Sequence, residues 1–213
     1  MGNYLFWISL LGLIFQISAS VISCGGFVHT LGNVDRSQIQ VRLLTPEGHQ
    51  KYEAECNPAT GYYMIPVYNK GQYKFEIKAP NGWIFEKNSV DINVDGKDDQ
   101  CSKGIDINFK QTGFTISGKV KSGDLSGPRG FKLGLFTPDG KLQSEAVTDA
   151  DGAYSFNAVP GSYDVFNVDQ EAQCIERGKV HVTLKDAPVV VQPDITISGH
   201  LLTIKVNDEK TSN

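Results

Sequence analysis

The sequence predicts an all-β chain in which two tandem β-sandwich modules follow a cleavable signal peptide. Three observations support this fold class: apolar residues alternate with polar ones, turn residues recur at intervals of roughly 8 to 12 positions, and the turn motifs repeat at an offset of about 90 residues. Because successive side chains of a strand point to opposite sides, alternation gives each strand one buried and one exposed face. Many short strands of this kind are typical of sandwiches.

The amino-terminal segment has the length and composition of a signal-peptide core. The apolar stretch runs from Tyr4 to Ile17 and is followed by small residues, although no Lys or Arg precedes it. We therefore predict that residues 1–23 are a signal peptide, with cleavage after Ser20 or a few residues later, and that the chain enters the secretory pathway. An alternative interpretation is a lipid-modified Cys24, because residues 21–24 fit the pattern that precedes lipidated bacterial cysteines.

Charge and hydropathy exclude two classes of partner. The net charge is only −4, with acids and bases interspersed, which argues against a nucleic-acid-binding surface and against attraction to an anionic membrane. After residue 23 no apolar run approaches the ~20 residues that a transmembrane helix needs. We therefore predict no membrane span within this sequence.

The predicted strands follow from the alternation, in chain order. In the first of them Ile39, Val41 and Leu43 share one face, while the polar residues between them share the other. The same period recurs in five further segments: Tyr73–Ile77, Val90–Val94, Ile105–Phe109, Phe114–Val120 and Val180–Leu184.

The turn motifs divide the chain into two modules of similar length. Three pairs of motifs carry the repeat: Leu44–Gly48 with Phe136–Gly140, Gly61–Val67 with Gly152–Val159, and Gly71–Tyr73 with Gly161–Tyr163. An offset of about 90 residues is the length of one sandwich domain. We therefore predict a first module at residues 24–110 and a second at 111–193. Because Ile195–Gly199 resembles Phe114–Gly118, residues 194–213 are predicted to be the incomplete start of a third module or a disordered tail.

Four cysteines follow the predicted signal peptide: Cys24, Cys56, Cys101 and Cys174. An even number in a secretory compartment indicates disulfides, and the absence of a C-x-x-C pair argues against a zinc knuckle or a redox motif. Four cysteines allow three pairings, which the sequence leaves open. We expect a bridge within the first module, which holds three of the four, and a free thiol at Cys174.

No constellation of residues indicates catalysis, a metal or a cofactor. The histidines at 29, 49, 181 and 200 are scattered, and no nucleophile elbow or phosphate-binding loop is present. Asp149 and Asp151 resemble the opening of a calcium loop, but the closing glutamate is missing, so a turn is the better interpretation. The acidic cluster at residues 95, 98 and 99 is predicted to be a solvated loop, and His181 a solvated histidine on the outer face of a strand.

One candidate ligand platform remains, formed by Trp83, Tyr62 and Tyr63. Aromatic rings of this kind stack on sugars. The alternative is that Trp83 closes the end of a sandwich core, as large aromatic residues often do.

Two resemblances refine the fold. Residues 148–156, followed by 159–163, resemble the hallmark of carboxypeptidase regulatory-like modules, which are transthyretin-like (prealbumin-like) sandwiches also grouped with carbohydrate-binding-like folds. The first module resembles the start of the nodal modulator family in five segments: Cys24–Val28, Gly61–Pro66, Gly82–Glu86, Val94–Gly96 and Cys101–Phe109.

The nodal modulator resemblance implies a function without catalysis. Members of that family are long proteins that cross the endoplasmic reticulum membrane once and carry strings of such sandwiches in the lumen. The resemblance implies a complex with nicalin and a small multipass membrane protein, association with the translocon for multipass proteins, and modulation of Nodal signalling. We therefore expect a non-enzymatic structural and protein-interaction module, lumenal and membrane-associated through a longer form. Two alternatives are a carbohydrate-binding module and the accessory domain of a carboxypeptidase-like hydrolase.

Overall fold

The computed structural model describes residues 21–123, 125–168 and 173–200. Most of the predicted signal peptide and the tail beyond residue 200 lie outside the described residues. Within them the regular structure is strand, apart from one 3-10 turn at Arg36–Gln38. The prediction of an all-β chain with two tandem sandwiches is therefore confirmed.

The strands of the first module alternate between two sheets. In chain order they are β1 (Ile22–His29), β2 (Gln40–Leu44), β3 (Gln50–Glu55), β4 (Tyr62–Val67), β5 (Gly71–Lys78), β6 (Trp83–Phe85) and β7 (Ser89–Val94). One sheet has the order β3-β2-β5-β7, and its strands are all antiparallel. The first strand begins two residues before the predicted module boundary at Cys24.

The second module repeats this arrangement. Its strands are β8 (Phe109–Ser122), β9 (Leu125–Ser126), β10 (Lys132–Phe136), β11 (Leu142–Val147), β12 (Ala153–Ala158), β13 (Gly161–Asn167), β14 (Gln173–Arg177), β15 (Lys179–Leu184), β16 (Val189–Val190) and β17 (Ile195–His200). The sheet β11-β10-β13-β15 corresponds to β3-β2-β5-β7 of the first module. A nine-stranded sheet that is centred on β8 runs through both modules and includes β1 and β4 of the first.

The alternating residues form the two cores, as the sequence predicts. Ile39, Val41 and Leu43 are at most 1% exposed in the first core, and Phe114, Ile116 and Val120 are fully buried in the second. Ile105 is an exception, because it is 51% exposed. It follows a turn at residues 100–104, in which its N–H donates to the Gln100 carbonyl, so the strand begins only at Phe109.

A repeated glycine turn fixes the start of β4 and of β12. Gly61 and Gly152 both have a φ of +73°, a left-handed conformation that favours glycine. Their carbonyls accept hydrogen bonds from the N–H groups of Val28 and Val120, at 2.9 and 2.8 Å. The two turns that the sequence repeat identified therefore have the same backbone geometry and the same partner on the opening strand of each module.

Candidate functional site: the junction between the two modules

The two modules share a strand, because β8 runs without interruption through 14 residues. Its first part pairs in parallel with β1, and its second part pairs with β12 of the second module. A register shift opposite Ile84 and Phe85 places an extra residue, Thr112, in the strand. Such a bulge changes which face of a strand is buried. Phe109 and Gln111 therefore face the first core, whereas Phe114 and Ile116 face the second.

Trp83 contacts both cores at this junction. It lies at the start of β6, opposite Phe114 of β8, and its indole meets the Phe114 ring edge-on with centroids 5.5 Å apart. The side chain is partly buried and packs against the hydrophobic clusters of both modules. Trp83 therefore closes the end of the first core, which is one of the two roles considered from the sequence, and it also extends the second.

The segment after β1 contributes further residues to the core of the second module. Val34 is 7% exposed and belongs to that cluster, and Leu31 packs against it. The N–H of Leu31 donates to Oε1 of Gln111 at 3.0 Å, and Gln111 is itself 1% exposed. Because a buried amide must be hydrogen-bonded to avoid a large desolvation penalty, Gln111 holds the β1–β2 connection against the shared strand.

The turn before β6 completes the junction. The carbonyl of Gly82 accepts a hydrogen bond from the N–H of Thr115 at 2.8 Å. A Cβ atom at Gly82 would lie 2.7 Å from Cγ of Pro188, and the φ of Gly82 is +83°. The close approach of these two modules therefore requires glycine at this position.

The three residues of the predicted aromatic platform do not share an exposed face. Tyr63 is 1% exposed, and its hydroxyl donates to the Ile107 carbonyl at 2.6 Å within the first core. Tyr62 is 41% exposed and points to the opposite side of β4, because neighbouring residues of a strand alternate. With Tyr63 in the core and Trp83 at the junction, these three rings cannot form one stacking surface.

Tyr62 belongs instead to an apolar outer face, which we name the β1–β4 face and define by Phe27, Tyr62 and Met64. The rings of Phe27 and Tyr62 lie 5.3 Å apart, and Met64 is 54% exposed. Neither β1 nor β4 contains an Asp, Glu, Lys or Arg residue. In contrast, the outer face of the opposite sheet carries the ion pairs Arg42–Glu76, Lys74–Asp91 and Lys78–Glu53.

The cysteines of the first module form one disulfide and one buried thiol. Cys24 and Cys101 are joined, which ties β1 to the turn before β8 and excludes a lipid on the Cys24 sulfur. Cys56 is 2% exposed, and burial raises the pKa of its thiol to about 11, so it is protonated at neutral pH. Cys174 lies in β14, and its side chain is outside the described residues.

The acidic clusters form turns. Asp99 is 8% exposed and its carboxylate accepts hydrogen bonds from the N–H groups of Asp95, Gly96 and Ser102. Burial disfavours its charge, but the hydrogen bonds from Ser102 and Gly96 outweigh burial and lower the pKa of Asp99. Asp149 accepts in the same way from the N–H groups of Asp151 and Ala153. The predicted acidic loop at residues 95–99 is therefore a hydrogen-bonded turn, in which Asp99 is not solvated.

The histidines whose side chains the structure describes, at positions 29, 49 and 181, belong to no metal-binding group. No group of three or more His, Cys, Asp or Glu side chains that could hold a metal is found in the part of the chain that the structure describes. His29 and His49 are exposed, and the side chain of His200 is outside the described residues. His181 is exposed, as the sequence predicts, but its Nδ1 also lies 3.0 Å from Asp164, which contacts Lys179 as well.

The spacing of apolar residues in the sequence indicates where the junction lies. The apolar positions before it have odd numbers (Ile107 and Phe109), and those after it have even numbers (Phe114 and Ile116). The alternation predicts two separate strands here, whereas the structure has a bulge within one strand at the point where the numbering changes from odd to even. The burial of Val34 in the second core could not be predicted from the sequence, because Val34 is a single apolar residue in a polar segment.

Comparison with known proteins gives matches over both modules. A family model described as the first β-sandwich domain of BOS complex subunit NOMO1-like proteins matches residues 25–109, and the model of their second β-sandwich domain matches residues 111–198. In the described residues, no helix has the length and apolar character that crossing a membrane requires.

Individual curated proteins are also similar to this chain in sequence. Nicotinic receptor-associated protein 4 of Caenorhabditis elegans is 44% identical over 193 residues, which are 90% of this chain and 17% of that protein. BOS complex subunit NOMO1 is 43% identical in Mus musculus and 42% in Homo sapiens, each over 149 residues, 68% of this chain and 12% of the relative. The chain thus spans less than a fifth of the length of these relatives.

Among solved structures, one similar fold is the shaft pilin SpaA of Lactobacillus rhamnosus GG. The matched region covers 86% of this chain and 100% of the pilin chain. Its identity is 9% and its TM-score 0.34, a similarity too weak to support a conclusion.

Proposed function

Because the chain belongs to the nodal modulator family of NOMO1-like β-sandwich proteins, we propose that it is a non-enzymatic structural and protein-interaction unit of a BOS-type membrane protein complex. The names of its relatives support this role, since one is a BOS complex subunit and another is a nicotinic receptor-associated protein. The relatives are much longer than this chain, so the proposal concerns the part that these two modules play.

The observation that carries the structural part of the proposal is the shared strand. Two sandwiches that are joined only by a loop would move independently. Here β8 belongs to both, Val34 of the first module is buried in the core of the second, and Trp83 packs on both cores. The two modules therefore act as one rigid spacer that holds any bound partner at a fixed position.

We assign the partner contact to the β1–β4 face. Exposed aromatic and methionine side chains, here on two strands that contain no Asp, Glu, Lys or Arg residue, are typical of protein interfaces, where they contribute much of the binding energy. The ion-paired outer face of the opposite sheet lacks this character.

By the family resemblance, the partner is nicalin together with a small multipass membrane protein, and the location is the lumen of the endoplasmic reticulum. An oxidising lumen is compatible with the Cys24–Cys101 disulfide. A secretory location also agrees with the apolar stretch from Tyr4 to Ile17.

The test is affinity purification of the tagged chain, with its own amino terminus, from detergent-solubilised cells, followed by mass spectrometry. Recovery of nicalin with the wild-type chain is the expected result. Met64→Lys should abolish or strongly reduce it, because the charge would have to be desolvated in the interface.

The matched control is Val147→Lys, which places the same charge on an equally exposed valine of β11 in the second module. Val147 is 57% exposed and Met64 is 54% exposed, so neither substitution disturbs a core. Equal recovery with both variants would contradict the assignment to the β1–β4 face. Failure of the wild-type chain to recover nicalin or translocon components would contradict the proposed function itself.

A further inference from the structure

The turn between β5 and β6 contains an asparagine that is followed by a glycine. Asn81 and Gly82 are the central residues of this turn, which the Trp83 N–H closes by donating to the Pro80 carbonyl at 3.2 Å. Asn-Gly occurs at no other position of the sequence. A side-chain amide is least stable before glycine, because no Cβ atom then shields the next backbone nitrogen. Asn81 is therefore the asparagine of this chain that is most prone to deamidation.

The structure leaves both reacting groups of this dipeptide accessible. The side chain of Asn81 is exposed, and its amide makes no hydrogen bond in the described part of the chain. The backbone N–H of Gly82 has no acceptor among the described residues either, since only the carbonyl of Gly82 is hydrogen-bonded. Both residues line an open polar cavity of about 290 Å3, so water reaches them.

Deamidation at this dipeptide runs through a cyclic imide. The backbone nitrogen of Gly82 attacks Cγ of Asn81 and forms a bond to it, and the side-chain NH2 leaves as ammonia with the proton of the Gly82 N–H. Water then opens the ring at one of its two carbonyl carbons. Opening at Cγ gives aspartate. Opening at the main-chain carbonyl carbon gives isoaspartate, in which the chain runs through the former side chain.

The isoaspartate product is incompatible with the geometry of the junction. It lengthens the main chain before Gly82 by one carbon–carbon bond, about 1.5 Å. Gly82 has little room to move, because a Cβ atom on it would already lie 2.7 Å from Cγ of Pro188 in the second module. Its carbonyl also accepts the 2.8 Å hydrogen bond from the N–H of Thr115 on β8. A displaced Gly82 therefore loses a hydrogen bond that ties the turn to the shared strand.

We propose that Asn81–Gly82 is a site of spontaneous deamidation and that its isoaspartate product loosens the junction between the two modules. The modification needs only water, and the rigidity of the junction declines with the age of the chain. The proposal is independent of the partner that we assign to the β1–β4 face.

The first test is ageing of the purified full chain at neutral pH and body temperature, followed by proteolysis and mass spectrometry. The internal comparison is Asn88, which is also exposed but is followed by Ser89. Asn81 should deamidate at least about tenfold faster than Asn88, a difference of about 1.4 kcal/mol in activation free energy. An isoaspartyl methyltransferase assay on the separated peptides identifies the isoaspartate form.

The second test measures amide hydrogen exchange at Thr115. The deamidated chain, separated by anion exchange through its added negative charge, should exchange this N–H about tenfold faster than the fresh chain, the effect of losing one hydrogen bond. Asn81→Gln should stay slow after the same ageing, because its longer side chain would have to form a larger ring. Freshly prepared Asn81→Asp should also stay slow, because it carries the new charge on an unaltered backbone.

Each outcome decides one part of the proposal. The modification site is refuted if Asn81 deamidates no faster than Asn88. The effect on the junction is refuted if the isoaspartate form exchanges Thr115 as slowly as the fresh chain. It is also refuted if fresh Asn81→Asp exchanges equally fast, since the cause would then be the charge and not the lengthened backbone. Position 81 is exposed and belongs to neither core, so unchanged thermal unfolding shows that both variants are folded.

Discussion

At the scale of single residues, the repeated glycines decide where each module turns. Gly61 and Gly152 were recognisable in the sequence because each opens a repeated Gly-x-Tyr motif. The reason that both must be glycine is visible only in the structure. A Cβ atom would lie 2.3 Å from the Val28 carbonyl oxygen at Gly61, and 2.4 Å from the Val120 carbonyl oxygen at Gly152. Sequence spacing cannot reveal such a backbone contact.

Replacement of either glycine by alanine should therefore destabilise its module strongly. We expect a loss of about 3 kcal/mol in the free energy of unfolding for Gly61→Ala or Gly152→Ala, from left-handed strain and the clash with backbone. The control is Gly140→Ala, whose φ is +84° but whose Cβ would meet nothing within 4 Å. It should cost only about 1 kcal/mol. Denaturant unfolding measures all three, and equal losses would show that the contact with the valine carbonyl is unimportant.

Asp99 leads to a prediction about pH. Its pKa is lowered from an ordinary value of 3.8, so the folded state gains stability from the ionised carboxylate above that value and loses it as the pH falls through the lower, folded-state pKa. Asp99→Asn should thus be most destabilising at neutral pH, and its difference from the wild type should shrink below about pH 4. Urea unfolding at several pH values measures this. Asp98→Asn, at an exposed site, is the control, and a constant difference for Asp99→Asn would refute the prediction.

At the scale of elements, alternation identified most strands that face a core, but it could not place the junction. The inner face of β8 includes Gln111 and Gly113, which are not apolar, so the pattern is interrupted where the two modules meet. Gln111 is buried because its amide bonds to Leu31, a residue 80 positions away. Only tertiary structure makes a polar residue acceptable there. The cysteine pairing was open for the same reason, since it depends on which strands become neighbours.

Substitution of Gly113 tests the close approach of β8 to β12 beside the bulge. Its Cβ would lie 2.5 Å from the Ala158 carbonyl oxygen and 3.0 Å from the carbonyl carbon, so Gly113→Ala must displace β12 from the shared strand. We expect a loss of about 2 kcal/mol or more in unfolding free energy, together with faster amide hydrogen exchange in β12. Thr112→Ala, one residue earlier and exposed, should leave exchange in β12 unchanged. A similar effect of both substitutions would argue against the close approach at Gly113.

At the scale of the whole molecule, the sequence predicted two modules but not that they share one strand and part of one core. A repeat of about 90 residues indicates domains that could fold separately. The buried contacts of Val34, Trp83 and Gln111 couple them instead. Buried apolar contacts between the modules distinguish a rigid spacer from two domains that are joined by a flexible linker.

This coupling should be visible in calorimetry. We expect the wild-type chain to unfold in a single transition, because separation of the modules would expose Val34 and break β8. Insertion of Gly-Ser-Gly-Ser between Thr112 and Gly113 interrupts β8 and should give two transitions, the second module melting at a lower temperature because it loses the contribution of Val34. The same insertion between Asp139 and Gly140, in an exposed turn, should leave one transition. Two transitions in the wild type would mean that the modules fold independently, and one transition after the insertion in β8 would mean that their coupling does not depend on the continuity of that strand.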